Sequence, residues 1–449
     1  MQVNSFLALA RRHLPRQLRS AIAAPVLICV AFMALGGCSG GDDNDNTGAN
    51  IRLLNLSSGY NSLDLYVGEG STDAGTVKFQ GVAYEALSAY GDSGSTTFTL
   101  KFKRNGITST LQQLSDLKPG KNAHRTYLAY GSSGNFGVAE IKEDESAANA
   151  GTSKLQVVNV AEAGAVDIYL TDPTVALTDV TPLLSSLGHG STSSIFYVDS
   201  GTYRLRVVGA GDTTDVRLDI PSVTLDSTKM QSLILTSTSG GVLVNGLMLP
   251  QQGQLTVNRN TKARVRGAVG ISNGTNATAS IGDVTLLASA GAGVVGGRYS
   301  QVEAGSVAVN LKVDGTAVPT ASQILVAGND YTLLFWSNAS GTQTSLLSDD
   351  NHSSSSGKAK LRLVNGLSAQ GQPITLALDF SPVVEGIPVG QASAYTEFDA
   401  GTDYQFDVSD TNTAATLLTK TSVTLVGSGV YTMFVSGSPT VTGTLRKDH

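Results

Sequence analysis

Residues 155–170 read LQVVNVAEAGAVDIYL. A short apolar run ends in Asn159, small residues follow, and a second run carries Asp167-Ile168-Tyr169. Residues 51–67, IRLLNLSSGYNSLDLYV, put Asn55 and Asp64 in the same places. A strand–turn–strand opening that returns after about a hundred residues predicts tandem copies of one domain.

Outward from that stretch the chain reads as strand after strand. Leu63, Leu65 and Val67 alternate with Asp64 and Tyr66, and Phe98, Leu100 and Phe102 with Thr99 and Lys101. This period of two marks half-buried strands. Tyr203, Leu205 and Val207 repeat it in a second copy, Val307 to Val313 in a third, and Tyr404, Phe406 and Val408 in a fourth. The predicted repeats cover 51–145, 154–258, 262–350 and 358–446, with SAANAGTS (146–153) and NHSSSSG (351–357) as linkers. The third copy opens on KARVRGAVG, without the asparagine, and Asp283 is assigned the slot of Asp64. Asn365 restores the asparagine in the fourth copy, where Thr375 replaces the aspartate.

No stretch beyond the N-terminal leader shows helical periodicity, and the chain holds 50 glycines among many short alternating runs. The expected fold is all-β: tandem immunoglobulin-like, or related two-sheet, β-sandwich domains. With neither a cysteine pair nor a repeated core tryptophan, since Trp336 stands alone, the choice between sandwich topologies stays open.

Ahead of the repeats, Arg11, Arg12, Arg16 and Arg19 precede an apolar run from Ala21 to Leu35, which ends in Leu35-Gly36-Gly37-Cys38. A basic flank, an apolar run short of the ~20 residues of a membrane span, and small residues make a secretory signal peptide, 1–37. The ending resembles the lipobox of bacterial lipoproteins. That resemblance implies that Cys38 receives a diacylglyceryl group and becomes the acylated N-terminus, and that the partner is a membrane. Ser39 stands where aspartate would signal inner-membrane retention, which leans toward the outer membrane. Residues 38–50, continuing SGGDDNDNTGAN, read as a disordered tether. Cys29 lies inside the leader, so the mature chain keeps one thiol and excludes disulfides and CxxC metal sites. Removing four leader arginines from 30 basic residues leaves 26 against 36 acidic, a net of −10. Thin, acidic charge of this kind argues against a nucleic-acid partner.

The repeats resemble bacterial extracellular domains known only by a domain-of-unknown-function label, DUF4397. The residues that carry the likeness are LQVVNVAEAGAVDIYL, the turn and strand DSGTYRLRVV (199–208), and the passage LLSDDNHSSSSGKAKLRLVN (346–365) joining two copies. The resemblance implies a secreted or surface β-domain, often repeated, and brings no activity, cofactor or catalytic residue.

The residues themselves offer little chemistry. His13, His124, His189, His352 and His449 are scattered, and none accompanies a GxSxG-type serine. Asp349, Asp350 and His352 suggest a metal, but adjacent strand residues point opposite ways. Asn55, Asn159, Asn365, Asp64, Asp167 and Asp283 are read as structural, accepting backbone N–H bonds at turns. Tyr66 and Tyr169 either form a ligand platform or cover the second face of a sheet. No catalytic, cofactor or metal residue is assigned. Two function classes remain. One is a non-enzymatic envelope module binding a glycan, a peptide or another envelope protein, shading into a structural spacer. The other is an accessory subunit or degenerate hydrolase.

Overall fold

The computed structural model describes residues 48–178, 180–368 and 371–449. The leader, Cys38 and the tether up to residue 47 lie outside them. Among the described residues the protein is all-β, without a helix. The first unit sets the pattern, with β1 (Asn50–Leu56), β2 (Ser62–Gly68), β3 (Thr76–Ala83), β4 (Gly91–Asp92), β5 (Phe98–Arg104), β6 (Thr110–Leu117), β7 (His124–Tyr130) and β8 (Gly137–Lys142). One sheet runs β4-β1-β7-β8 and the other β3-β2-β5-β6. β1 lies parallel to β7, Leu53 opposite Tyr127, and every other pairing is antiparallel. The same parallel pairing returns between Thr152–Asn159 and Met230–Ser237, between Lys262–Gly270 and Asp330–Asn338, and between Lys358–Leu367 and Val430–Gly437. Four strands on each side and a parallel first strand make this the related two-sheet sandwich, distinct from the constant-type immunoglobulin arrangement of four strands on three.

Each sandwich closes on its own apolar core. Leu63, Leu65, Phe98, Leu100 and Phe102 pack on Ile51, Leu53 and Tyr127 in the first unit, and corresponding clusters fill the other three. The sheet holding each first strand is buried on its second face as well. Leu54, Leu56, Leu128 and Ile141 of the first unit meet Val158, Val160, Ile234, Leu247 and Leu249 of the second. Ala268, Val295 and Leu334 of the third meet Val364 and Phe434 of the fourth. Units one and two, and units three and four, therefore form four-layer stacks with the first-strand sheets inside. This double burial explains why Lys262–Gly270 and Lys358–Leu367 are buried at every position after the first, where a one-sided sheet would alternate. At the second seam two backbones cross closely. A Cβ on Gly270 would overlap the carbonyl oxygen of Gly366, and Ser368 Oγ donates to the Gly270 carbonyl.

Two expectations from the sequence are corrected at their edges. The tether does not run to Asn50: Ala49, the one apolar residue in that polar stretch, is fully buried, and its N–H donates to Ser93 Oγ. The segment NHSSSSG is also no free linker. Asn351 is fully buried, its Nδ2 donating to Asp330 Oδ2 at 2.8 Å, and Ser354 Oγ donates to the carbonyl of Lys358.

Candidate functional site

The recurring asparagines join the two sheets of a sandwich. Asn55 sits one residue before the end of β1. Its Oδ1 accepts from Ser57 N, and its Nδ2 donates to the carbonyls of Tyr60 and Val82, the latter on β3. Asn159 does the same toward Ala161 N and the carbonyls of Gly164 and Leu187, and Asn365 toward Leu367 N and those of Gln372 and Ile387. An amide carries both an acceptor and two donors, which is why this slot takes asparagine. In the third unit the slot holds Val269. The backbone bonds persist there, Val269 N to Val294 O and Gly293 N to Val269 O, while the side-chain staple is lost.

The aspartates tie hairpin to hairpin. Asp64 accepts from Gly81 N, Asn105 Nδ2 and Gly106 N. Burial alone would raise its pKa, and these three bonds together with the Lys103 charge hold it below the ordinary carboxylate value. Asp167 accepts from Ser186 N and Gly211 N. Asp283 is different, and its assignment is corrected. It lies exposed in the turn between Asn276–Ile281 and Val284–Gly291. The register gives the slot of Asp64 to Thr278, which faces Lys312 as Asp64 faces Lys103. The third opening carries no asparagine to anchor the alignment, and the sequence reading slipped by a strand.

A second recurrence escaped the sequence reading. In β1, Arg52 lies opposite Thr126, stacks 4.5 Å over Tyr90 and pairs with Glu143 at 2.7 Å, fully out of solvent. Arg266, Thr332, Tyr299 and Asp349 repeat this in the third unit, and Arg362, Thr432, Tyr395 and Asp448 in the fourth. Between those two units the ion pairs cross. Arg266 reaches Asp448, and Arg362 reaches Asp349. Burial would raise the Asp349 pKa, but Arg362 and Arg266 beside it push it below the usual range. The signal was a charged residue inside an apolar strand, as in IRLL, ARVR and LRLV, since buried arginine needs a partner.

A cleft of about 920 Å³ opens where the first, second and fourth units meet. Its lining includes the Ser132–Asn135 loop, Glu162, His189, the 350–356 segment, Lys360, Tyr395 and Glu397. His189 Nδ1 donates to the Ala161 carbonyl at 3.0 Å, and its ring meets Tyr130 edge to face. Asp350 binds His352 Nδ1 at 2.9 Å and Lys360 Nζ at 2.7 Å. Burial opposes its charge, but the His352 and Lys360 contacts hold its pKa well below the usual value. Two buried polar atoms in this lining, Glu162 Oε1 and His352 Nε2, hold no hydrogen bond within the protein, while the Tyr395 hydroxyl lies beside Thr432 at the seam between units three and four. A buried polar atom without a partner costs about 1–3 kcal/mol. Two of them beside Asp350 and Lys360 give the cleft the polar groups of a binding site. The Asp349-Asp350-x-His352 group does not gather. Asp349 faces the seam between units three and four while Asp350 and His352 face the cleft, and no metal-holding cluster of three His, Cys, Asp or Glu occurs among the described residues.

No match to a curated protein is found. Among solved structures the chain is similar to CBMbc, a family CBM26 module of Amy13K from Eubacterium rectale, determined in complex with maltoheptaose. The identity is 13%, covering 46% of this chain and 95% of that one at a TM-score of 0.16, and a likeness at that level settles neither fold nor ligand. By sequence, residues 49–169 match the family described as Domain of unknown function (DUF4397). That span takes in the first sandwich and the first two strands of the second, ending at Tyr169 inside LQVVNVAEAGAVDIYL. The first of the stretches that suggested the family falls within the match except for its last residue, Leu170, and 199–208 and 346–365 fall outside it.

Proposed function

We propose that this chain is a non-enzymatic binding protein of the bacterial cell envelope, anchored through lipid on Cys38, with the cleft between units one, two and four as its ligand site. The observation that carries the reading is a cleft of about 920 Å³ whose lining brings together Glu162, His189, Asp350, His352 and Lys360 from three parts of the chain. Asp350 holds His352 Nδ1, which leaves Nε2 as the ring nitrogen without a protein partner, and Glu162 offers a carboxylate acceptor. Carboxylates among serine hydroxyls suit a ligand rich in hydroxyl or amine donors. The Asp350–His352 pair does not favour a hydrolase, because no serine hydroxyl among the described residues reaches His352 Nε2.

A panel of envelope glycans and peptides, titrated calorimetrically against the chain from Ser39 to His449, tests the site. Glu162→Gln and His352→Phe should each weaken the ligand that binds about 5–100-fold, the equivalent of 1–3 kcal/mol for a lost buried hydrogen bond. Affinity unchanged in both variants would remove the cleft from consideration. The anchor is tested separately. Wild type should partition into detergent after expression in a bacterium and Cys38→Ser should not.

A further inference from the structure

We infer that a second site, a small cavity between units two, three and four, binds a compact oxyanion of the phosphate or carboxylate class. The cavity, about 140 Å³, is lined by Asp215 and Arg217 of unit two, Arg264 and Arg266 of unit three, and Lys447 and His449 of unit four. It is far larger than the roughly 10–15 Å³ one water needs. Three of its four arginines are buried side chains, with 7% of the Arg217 and Arg264 side chains and 3% of that of Arg266 exposed. The fourth, Arg298, is exposed at the rim.

The acids around the cavity are already committed. Asp215 is held by Arg217 and Arg264, each at 2.8 Å, and Asp330 by Arg264 at 2.5 Å. Asp448 takes Arg266 Nη1 and Thr432 Oγ1, and Asp212 takes Arg298 and Thr214. Two cationic donors keep unused hydrogen-bonding capacity. Arg266 Nη2 is buried and holds no hydrogen bond, keeping only a long ion pair to Asp349 Oδ2 at 3.7 Å. Lys447 makes no ion pair among the described residues and stands exposed beside His449. A cavity walled by guanidinium groups, with an unpaired lysine at its edge, is what an oxyanion fits, since guanidinium donors match oxyanion acceptors in geometry and charge.

His449 reports the field in the same place. Burial first, and then Arg217 and Arg264, depress its imidazole pKa to about 4, the Asp215 charge notwithstanding. Burial and the two guanidinium charges together keep the ring neutral well below pH 6.5. An anion seated there would cancel part of that potential and raise the imidazole pKa, which makes His449 a built-in reporter.

The test follows the His449 imidazole by NMR in the full chain carrying ¹³C-labelled histidine, with His449→Gln assigning its signal. The chain is titrated with inorganic phosphate and, separately, with acetate, each at constant ionic strength maintained with sodium chloride. The expected result is a saturable shift and a rise in the His449 pKa of about one unit. Lys447→Ala, an exposed substitution, should weaken the anion several-fold while leaving the circular dichroism spectrum unchanged. A larger effect of phosphate than of acetate identifies a dianionic ligand, and equal effects a carboxylate. Either supports the site. A His449 pKa that moves with neither anion, or equally with chloride alone, would overturn it. So would full anion affinity in Lys447→Ala together with Arg266→Gln, provided both variants are folded.

Discussion

Replacing Arg362 by Met isolates the crossed ion pairs between units three and four. Arg362 is 1% exposed and donates to Asp349 Oδ1, to Thr432 Oγ1 at 3.1 Å and to the Ser348 carbonyl at 2.8 Å. Without it Asp349, wholly buried, keeps only Thr332, Tyr299 and an Arg266 nitrogen 3.7 Å away. Breaking one partner of a buried pair costs about 3–5 kcal/mol. Asp349→Leu should cost a similar amount, because it strands Arg362 instead. The double variant removes both charges together and should fall short of the sum by about 2 kcal/mol or more. The assay is urea unfolding followed by Trp336 fluorescence. That single tryptophan packs against the seam cluster and lies where Gly390 of the fourth unit has no side chain, so its emission reports undocking. Additivity within about 0.5 kcal/mol would refute the reasoning, since two residues from different repeats would then not interact.

Gly270→Ala places a methyl against the Gly366 carbonyl and should destabilise the same seam by about 1–3 kcal/mol, read by the same fluorescence transition. Asn159→Ala strands Ala161 N and the carbonyls of Gly164 and Leu187 in a fully buried corner, and should lower stability by about 2–4 kcal/mol in urea unfolding. His449 sits near 4 when folded against 6.5 as a free residue, so the unfolded chain takes up its proton first. Its contribution is therefore present above pH 6.5 and lost as pH falls from 6.5 to 4, and His449→Gln should flatten the urea midpoint over that window. Asp64 and Asp349, both held below the usual carboxylate value, act further down. Their contribution is present above about pH 3.8 and lost as pH falls through their folded values, so Asp64→Asn should blunt the acid unfolding of the first unit.

The sandwich was legible because its period-two strands and its Asn and Asp turn residues are local features. Asn159 and Asp167 bond to groups within a few dozen residues of chain, and the strain such a turn must relieve is visible in the sequence around it. The cleft was not legible. Glu162, His352 and Tyr395 come from two units and the segment between the third and fourth, and their meeting depends on how units pack. The stacking itself left a trace that alternation arguments pass over. LQVVNV and LRLVN are nearly unbroken apolar runs, which one buried face does not require and two do. Where the opening diverged, as in KARVRGAVG, losing one asparagine was enough to shift the assigned aspartate by a strand.

The second unit shows how charge is balanced across the seams. At the positions of Arg52, Thr126, Glu143 and Tyr90 it carries Gln156, Ser232, Gln251 and Ile195, a neutral set. Its partner across the seam is the first unit, whose Arg52 and Glu143 neutralise each other. The second unit supplies only backbone there, Gly253 O to Arg52 and Gln252 N to Glu143 Oε2. Units three and four bring one arginine and one acid each and exchange them. At these positions the seam inside each stack is thus neutral, by one internal pair in the first stack and two crossed pairs in the second. A buried, unpaired charge is what a stack of this kind cannot hold, whereas a crossed pair forms only when the correct two units meet. The crossed arrangement therefore specifies which repeat docks on which, a choice that four similar apolar sheets could not make by themselves.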